Sequence, residues 1–201
     1  MSTTQVIQSI QLARLGDDSS LGTLLSSYER YLKLLAQVQI GRALRSKLDA
    51  SDIVQETFLE AHKSIHRFEG TNGDQFIAWL KSILAKRLAN TMRHYLGTQA
   101  RDIRLEERIE NSLDHSSMSL AGMVAVQNSS PSHHVSKKEQ SQLMAEALLR
   151  LPDDYREVIM MRHLEGMTFP EIAAAMNRTE GSAEKLWLRG MAKLKKEFLR
   201  E

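Results

Sequence analysis

Cysteine is absent from the chain. That excludes disulfides, thiolate metal sites and thiol nucleophiles together, and it suits a reducing compartment. No apolar run approaches the length of a membrane span, so no membrane insertion is expected. The start, Met1-Ser2-Thr3-Thr4-Gln5, lacks the basic-then-apolar order of a secretory signal. Proline is scarce: Pro131, Pro152 and Pro170 all lie beyond residue 130, which leaves the first half free of helix breakers other than glycine. Aromatics make up 5% of the chain and none occurs between Tyr95 and Tyr155. One sign of charge does not dominate, because the net charge is only +2. The whole molecule is therefore no polycation, and any affinity for a polyanion must come from local clusters.

Two such clusters exist. Seven Lys or Arg face three acids between Lys81 and Arg108, and the same seven against three recur between Arg178 and Arg200. Apolar residues account for 42% of the chain, enough for each half of 201 residues to bury a core. Their spacing is helical throughout. Leu21, Leu24, Leu25, Tyr28, Tyr31, Leu32 and Leu35 make one stripe. Val54, Phe58, Ala61 and Ile65 make a second, and Phe76, Trp79, Leu80, Ile83 and Leu84 a third. No segment alternates with period two, so the fold class is all-α.

Residues 111–136 differ from their flanks, with eight serines and one charged residue, Asp114. This composition predicts a flexible linker, although Leu120–Val126 is apolar enough to dock. The expected organisation is a helical domain over 1–110, a linker over 111–137 and a second helical domain over 138–201. In the latter, Leu143, Ala147, Leu148 and Leu151 form a helical face that stops at Pro152. Asp153 and Asp154 favour the start of the next helix through its dipole. Thr168-Phe169-Pro170-Glu171 is a capping box with proline in the first turn. A short helix over Glu171–Met176, a turn at Asn177-Arg178-Thr179 and a longer helix over Glu180–Phe198 compose a helix-turn-helix. In that motif the second helix enters the major groove with its N-terminal residues at base edges. Ala183, Trp187, Gly190 and Leu194 fall on the inward face, which assigns Trp187 to the core. Ser182, Lys185 and Arg189 point outward, with Arg178 and Thr179 at the turn.

Leu151-Pro152-Asp153-Asp154-Tyr155-Arg156-Glu157-Val158 and Arg162–Ala173 resemble region 4 of the extracytoplasmic-function (ECF) sigma factors of bacterial RNA polymerase. Ser51-Asp52-Ile53-Val54-Gln55-Glu56-Thr57-Phe58 resembles their region 2.2, and Phe76-Ile77-Ala78-Trp79-Leu80 the segment leading into region 2.4. The resemblance covers about residues 20–108 and 140–198. Two unrelated signatures in the family's order are far more specific than either alone. The chain departs from the family at Lys86-Arg87-Leu88-Ala89-Asn90, where Arg-Asn is common. It departs again at Ser182-Ala183-Glu184-Lys185-Leu186, where Thr-Val-Lys-Ser-Arg commonly follows the glycine.

The resemblance implies a cytoplasmic, non-catalytic specificity subunit that directs core polymerase to promoters and opens them. Asp52, Gln55, Glu56 and Leu59 would dock on the polymerase clamp. Lys86, Arg87, Asn90, Arg93 and His94 would meet the minus-ten element, where cations bind phosphate and asparagine pairs with a base edge. The loop His66–Gln75 has the glycine and polar content to enclose an extruded base. Arg178, Thr179, Ser182, Lys185 and Arg189 would meet the minus-thirty-five element, the second domain also touching the flap. An anti-sigma factor or other regulator is a further expected partner. No cofactor and no metal are expected: His62 and His66 stand at i, i+4, but Lys63 occupies the place of a zincin's glutamate. His133-His134 is incidental. Two readings from other classes stay open on the residues alone: a dimeric helix-turn-helix repressor or activator, and a helical adaptor that binds only protein.

Overall fold

The helical periodicities become helices along nearly all of residues 3–44, 47–96, 103–127 and 137–199, the residues that this computed structural model describes; no strand occurs among them. The chain divides into two units, Met1–Asp114 and His115–Glu201.

In the first unit, α1 (Thr3–Arg14) turns through Gly16, whose φ of 94° lies in the left-handed region, into α2 (Asp18–Leu44). The Asp17 carboxylate starts α2 by accepting from the Ser20 hydroxyl at 2.5 Å and the Ser19 N–H at 3.1 Å. The α2 stripe read from the sequence is buried in full, from Leu21 to Leu35. Gly41 interrupts the helix at φ 63°, ψ 168°, a conformation essentially reserved for glycine.

Helix α3 (Ala50–Ser64) is capped by Asp49, which accepts from the Ser51 N–H at 2.7 Å. Its inward face is Ile53, Val54, Thr57 and Ala61; Phe58, expected there, is half-buried. The fully buried Thr57 satisfies its hydroxyl on the Ile53 carbonyl at 2.8 Å. A 3-10 turn at Ile65–Arg67 leads to α4 (Gly73–Leu96). Helix α2 packs against α1, α3 and α4. Phe76, with no exposed surface, lies 5.6 Å from Tyr28, 5.5 Å from Phe68 and 5.6 Å from Trp79, ring centre to ring centre. Truncating such an aromatic to alanine costs about 3–5 kcal/mol.

The linker expected over 111–137 is helical over much of its length, because α5 runs unbroken from Ile103 to Gln127. The stripe Ile109, Leu113, Ser116, Leu120, Met123 is buried at helical spacing, and that burial supplies the stabilisation a serine-rich composition appeared to lack. In the first unit Gln39 donates to Ser112 at 2.8 Å, and the buried Lys81 ammonium pairs with Asp114. In the second, the Ser141 hydroxyl donates to the Ser117 carbonyl at 2.8 Å. His133 and His134 lie outside the described residues.

The second unit continues with α6 (Lys137–Leu149), α7 (Asp153–His163), α8 (Phe169–Ala175) and α9 (Glu180–Phe198). Met144, Ala145, Ala147 and Leu148 are the buried side of α6, while Leu143 is half-buried. Helix α9 packs against α6, α7 and α8. Gly190 permits the approach of α7: a side chain there would meet Ile159 at 3.2 Å and Tyr155 at 3.4 Å. The short helix begins two residues earlier than expected, since Pro170 sits in its first turn; the long one has the expected bounds.

Candidate polymerase and nucleic-acid interface

On α3, Asp52, Gln55, Glu56 and Leu59 are all exposed. They share one face at i, i+3, i+4 and i+7, opposite the buried Ile53, Val54 and Ala61. Leu59 is 62% exposed, a large apolar side chain in the middle of an acidic and polar surface. Neither Asp52 nor Glu56 has an ion-pair partner among the described residues.

Helix α4 carries the next group. Lys86, Asn90 and His94 are exposed and Arg93 is half-buried. Arg93 is held by two bonds: its Nε donates to the Ala89 carbonyl at 3.0 Å, and its Nη2 to the Asn90 side-chain oxygen at 2.7 Å. Arg93 and Asn90 are therefore presented as one unit. Arg87 is set apart from this group. Its Nη2 lies 2.5 Å from the Glu60 carboxylate of α3, so it ties two helices together. Tyr95 is half exposed, edge-on to His94 at 5.8 Å; sequence spacing gave no reason to single it out.

The loop before α4 forms an open pocket of about 440 Å³ lined by Arg67, Phe68, Glu69, Gly70, Gln75 and Trp79. Thr71 N–H donates to Gln75 Oε1 at 2.7 Å, and Gln75 N–H to Asn72 Oδ1 at 2.9 Å, which fixes the turn by local side-chain acceptors. Phe68, read as part of the loop, is buried, its ring tilted against that of Trp79 at 5.0 Å between centres. Gly70 is required where the chain crosses it, because a Cβ would fall 2.2 Å from the Phe68 ring. Phe76 belongs to the core as expected, whereas Trp79 is half-buried and reaches the pocket. The two nearby histidines diverge: His62 Nε2 lies 3.0 Å from Asp18 Oδ1, while His66 accepts from Arg67 at 3.2 Å.

In the second unit the Glu171 carboxylate accepts from the Thr168 N–H and hydroxyl, each at 2.7 Å, completing the capping box. The backbone N–H bond lowers the Glu171 pKa most, the hydroxyl next. The turn between α8 and α9 passes through Asn177 at φ 52°, a left-handed position that asparagine tolerates. Arg178 is engaged there with Asp154 of α7 at 2.7 Å, and Thr179 caps α9 by accepting from the Ser182 N–H at 3.3 Å. Ser182 is half-buried; Lys185 and Arg189 are exposed. Trp187, expected in the core, is only half-buried: its Nε1–H donates to His163 Nε2 at 3.1 Å, and Phe169 meets its ring edge-on at 5.7 Å. Loss of solvent, then neighbouring Arg162, pushes the His163 pKa down, which favours the neutral ring that accepts from Trp187.

Comparison with known proteins bears on both units. Residues 27–101 match the sigma-70 region 2 family and residues 141–194 the sigma-70 region 4 family. The ECF RNA polymerase sigma-E factor of Haemophilus influenzae is 25% identical over 173 residues, 86% of this chain and 84% of that protein. Those of Salmonella typhimurium LT2 and Escherichia coli K12 are 27% identical over 180 residues, 90% of this chain and 86% of each relative. A solved structure titled the RsbN-BldN complex aligns with 93% of this chain and 97% of its own at 21% identity, with a TM-score of 0.32. That score is too low to extend the fold comparison. The two sigma-70 regions, in order and together spanning most of the chain, place it in the sigma-70 family as an RNA polymerase sigma factor of the ECF type, which initiates transcription at specific promoters. No helix among the described residues is long and apolar enough to cross a membrane.

Proposed function

We propose that residues 1–110 grip core polymerase and the minus-ten element while residues 138–201 take the minus-thirty-five element and the flap. The protein works in the cytoplasm as a specificity subunit without catalytic residues of its own, and an anti-sigma factor or similar regulator competes for these surfaces. The observation that carries the reading of the first unit is on α3 and α4: one helix presents an acidic, apolar-centred face with no ion-pair partner among the described residues, the next a basic one.

Asp52, Gln55, Glu56 and Leu59 dock on the clamp. The exposed leucine provides burial, and the two carboxylates provide charge complementarity to a basic partner. Lys86, Asn90, Arg93 and His94 meet the minus-ten element, with Arg87 bracing them from behind through Glu60. The pocket between Arg67 and Trp79 receives a base swung out of the stack, at a cost of about a few kcal/mol of unstacking. Lys185 and Arg189 reach the minus-thirty-five groove, Ser182 lies beside them, and Arg178 and Thr179 shape the turn that aims them.

Run-off transcription with purified core polymerase on a genomic promoter library tests the assignment. Discrete promoters transcribed only when the protein is added are the expected result. Tight sequence-specific binding by the free protein, with no polymerase-dependent transcripts, would instead mark a repressor.

A further inference from the structure

The outward surface of α9 contains two residues for which the fold has no use. Its inward face is fixed by Ala183 and Leu194, both without exposed surface, and by the buried Gly190. With that side set, the helical repeat turns Gly181, Glu184, Lys185 and Leu188 outward over the first two turns, and all four are exposed. Leu188 is 58% exposed. It cannot serve the core, because it stands on the opposite side from Ala183 and Leu194.

Glu184 is the more informative of the pair. On a helix a side chain meets its neighbours at i±3 and i±4. For Glu184 these are Gly181, Trp187, Glu180 and Leu188, none of them a cation and one a second acid. It makes no hydrogen bond or ion pair among the described residues. A carboxylate in this place gains nothing within the molecule, and it opposes any approach to phosphates. Resting on the reading of α9 as the helix that enters the major groove, we propose that Glu184 and Leu188 determine promoter specificity. Glu184 accepts a hydrogen bond from the exocyclic amine of a cytosine, and Leu188, one turn further on the same ridge, packs on the methyl group of a thymine. Both pairings are those the major groove offers to an acid and to an apolar side chain. Lys185, between them in sequence, supplies the phosphate contact that offsets the repulsion.

Holoenzyme made with the parent protein, Glu184→Ala or Leu188→Ala is used to select from a duplex pool randomised over both promoter elements. The parent should enrich cytosine at one upstream position and thymine at another. Glu184→Ala should lose the cytosine preference alone, by about five- to a hundredfold, and Leu188→Ala the thymine preference alone. An unchanged preference with uniformly tighter binding, the behaviour of a carboxylate that is merely repelled, overturns the inference, as does a parent with no cytosine preference. Lys185→Ala and Arg189→Ala run alongside. If they weaken upstream binding while Glu184→Ala leaves the selected sequence intact, only the specificity inference fails. If they have no effect, the groove reading of α9 fails and takes the inference with it.

Discussion

Helices α4 and α9 both carry the cations proposed to meet DNA, but they hold them differently. On α4 the Arg93 guanidinium is already bonded to the Ala89 carbonyl and to Asn90, and Arg87 to Glu60. On α9, Lys185 and Arg189 project from the surface without an ion-pair partner among the described residues. A pre-ordered group loses less rotamer freedom when it binds, which suits a face that must position one base during strand opening. Free side chains suit phosphate binding, where affinity comes from released counterions and geometry is forgiving. On the proposed reading, the difference gives placement to the first unit and electrostatic anchoring to the second.

The largest expected effect tests what lies beneath both faces, the hold on polymerase. Changing Asp52 and Glu56 together to Lys reverses two charges at an exposed surface and leaves the Val54 side of α3 untouched. Affinity for core polymerase should fall at least about a hundredfold, since like-charge juxtaposition costs several kcal/mol, while the melting temperature stays near that of the parent. A folded double variant that still binds core would remove α3 from the interface.

The contrast between the two DNA faces comes next. Arg93→Ala should cost roughly 1–3 kcal/mol at the minus-ten element, with the loss restored on a template already melted there. Arg189→Ala should weaken upstream binding, lower the salt slope by about one unit and gain nothing from the melted template. The reverse pattern of rescue would exchange the roles of α4 and α9.

A smaller effect distinguishes Arg87 from its neighbours. Both partners of the Arg87–Glu60 pair are partly exposed, so a double-mutant cycle with Arg87→Ala and Glu60→Ala should give a coupling energy of at most about 1 kcal/mol. That coupling should appear in thermal unfolding. Coupling seen only in promoter opening would mean that Arg87 leaves Glu60 for DNA.

The smallest concerns pH and the second unit alone. His163 is held below its ordinary value by burial and by Arg162, so the unfolded chain takes up that proton first as pH falls. The associated stability is complete above about pH 6.5 and is lost as pH drops from there toward the folded value. Melting temperature should therefore decline from pH 7.5 to 5.5, and His163→Gln should flatten that decline. Glu171 and Asp49, both lowered by backbone hydrogen bonds, lose their contribution only further down, below the usual carboxylate range. An equal decline in the His163→Gln protein would place the pH dependence elsewhere.

Much of this was legible from residue order. The α2 stripe, the capping box at Thr168–Glu171 and the bounds of α9 follow from periodicity and local chemistry, which act over a few residues. The helix over residues 111–127 was not legible for a particular reason. The serines counted over 111–136 belong partly to α5 and partly to residues beyond it, and Ser116 occupies a buried position in the stripe Ile109, Leu113, Leu120, Met123, so composition masked the spacing. Arg87 and Arg178 looked like the cations around them because nothing local indicates a partner. Glu60 and Asp154 lie 27 and 24 residues away, a separation that only the folded chain closes. Phe68 was hidden in the same way: it sits in a polar loop, and its burial depends on Phe76 and Trp79.

The two tryptophans have a consequence of their own. Trp79 lines the pocket of the first unit, and Trp187 is bonded to His163 in the second. Indole emission shifts with the polarity and the hydrogen bonding around the ring, so each unit contains a native optical reporter at the place where its state matters. Trp79 stands where pocket occupancy would change its surroundings, and Trp187 where protonation of His163 would break its hydrogen bond. Replacing either one with phenylalanine leaves a protein whose remaining indole signal belongs to a single unit.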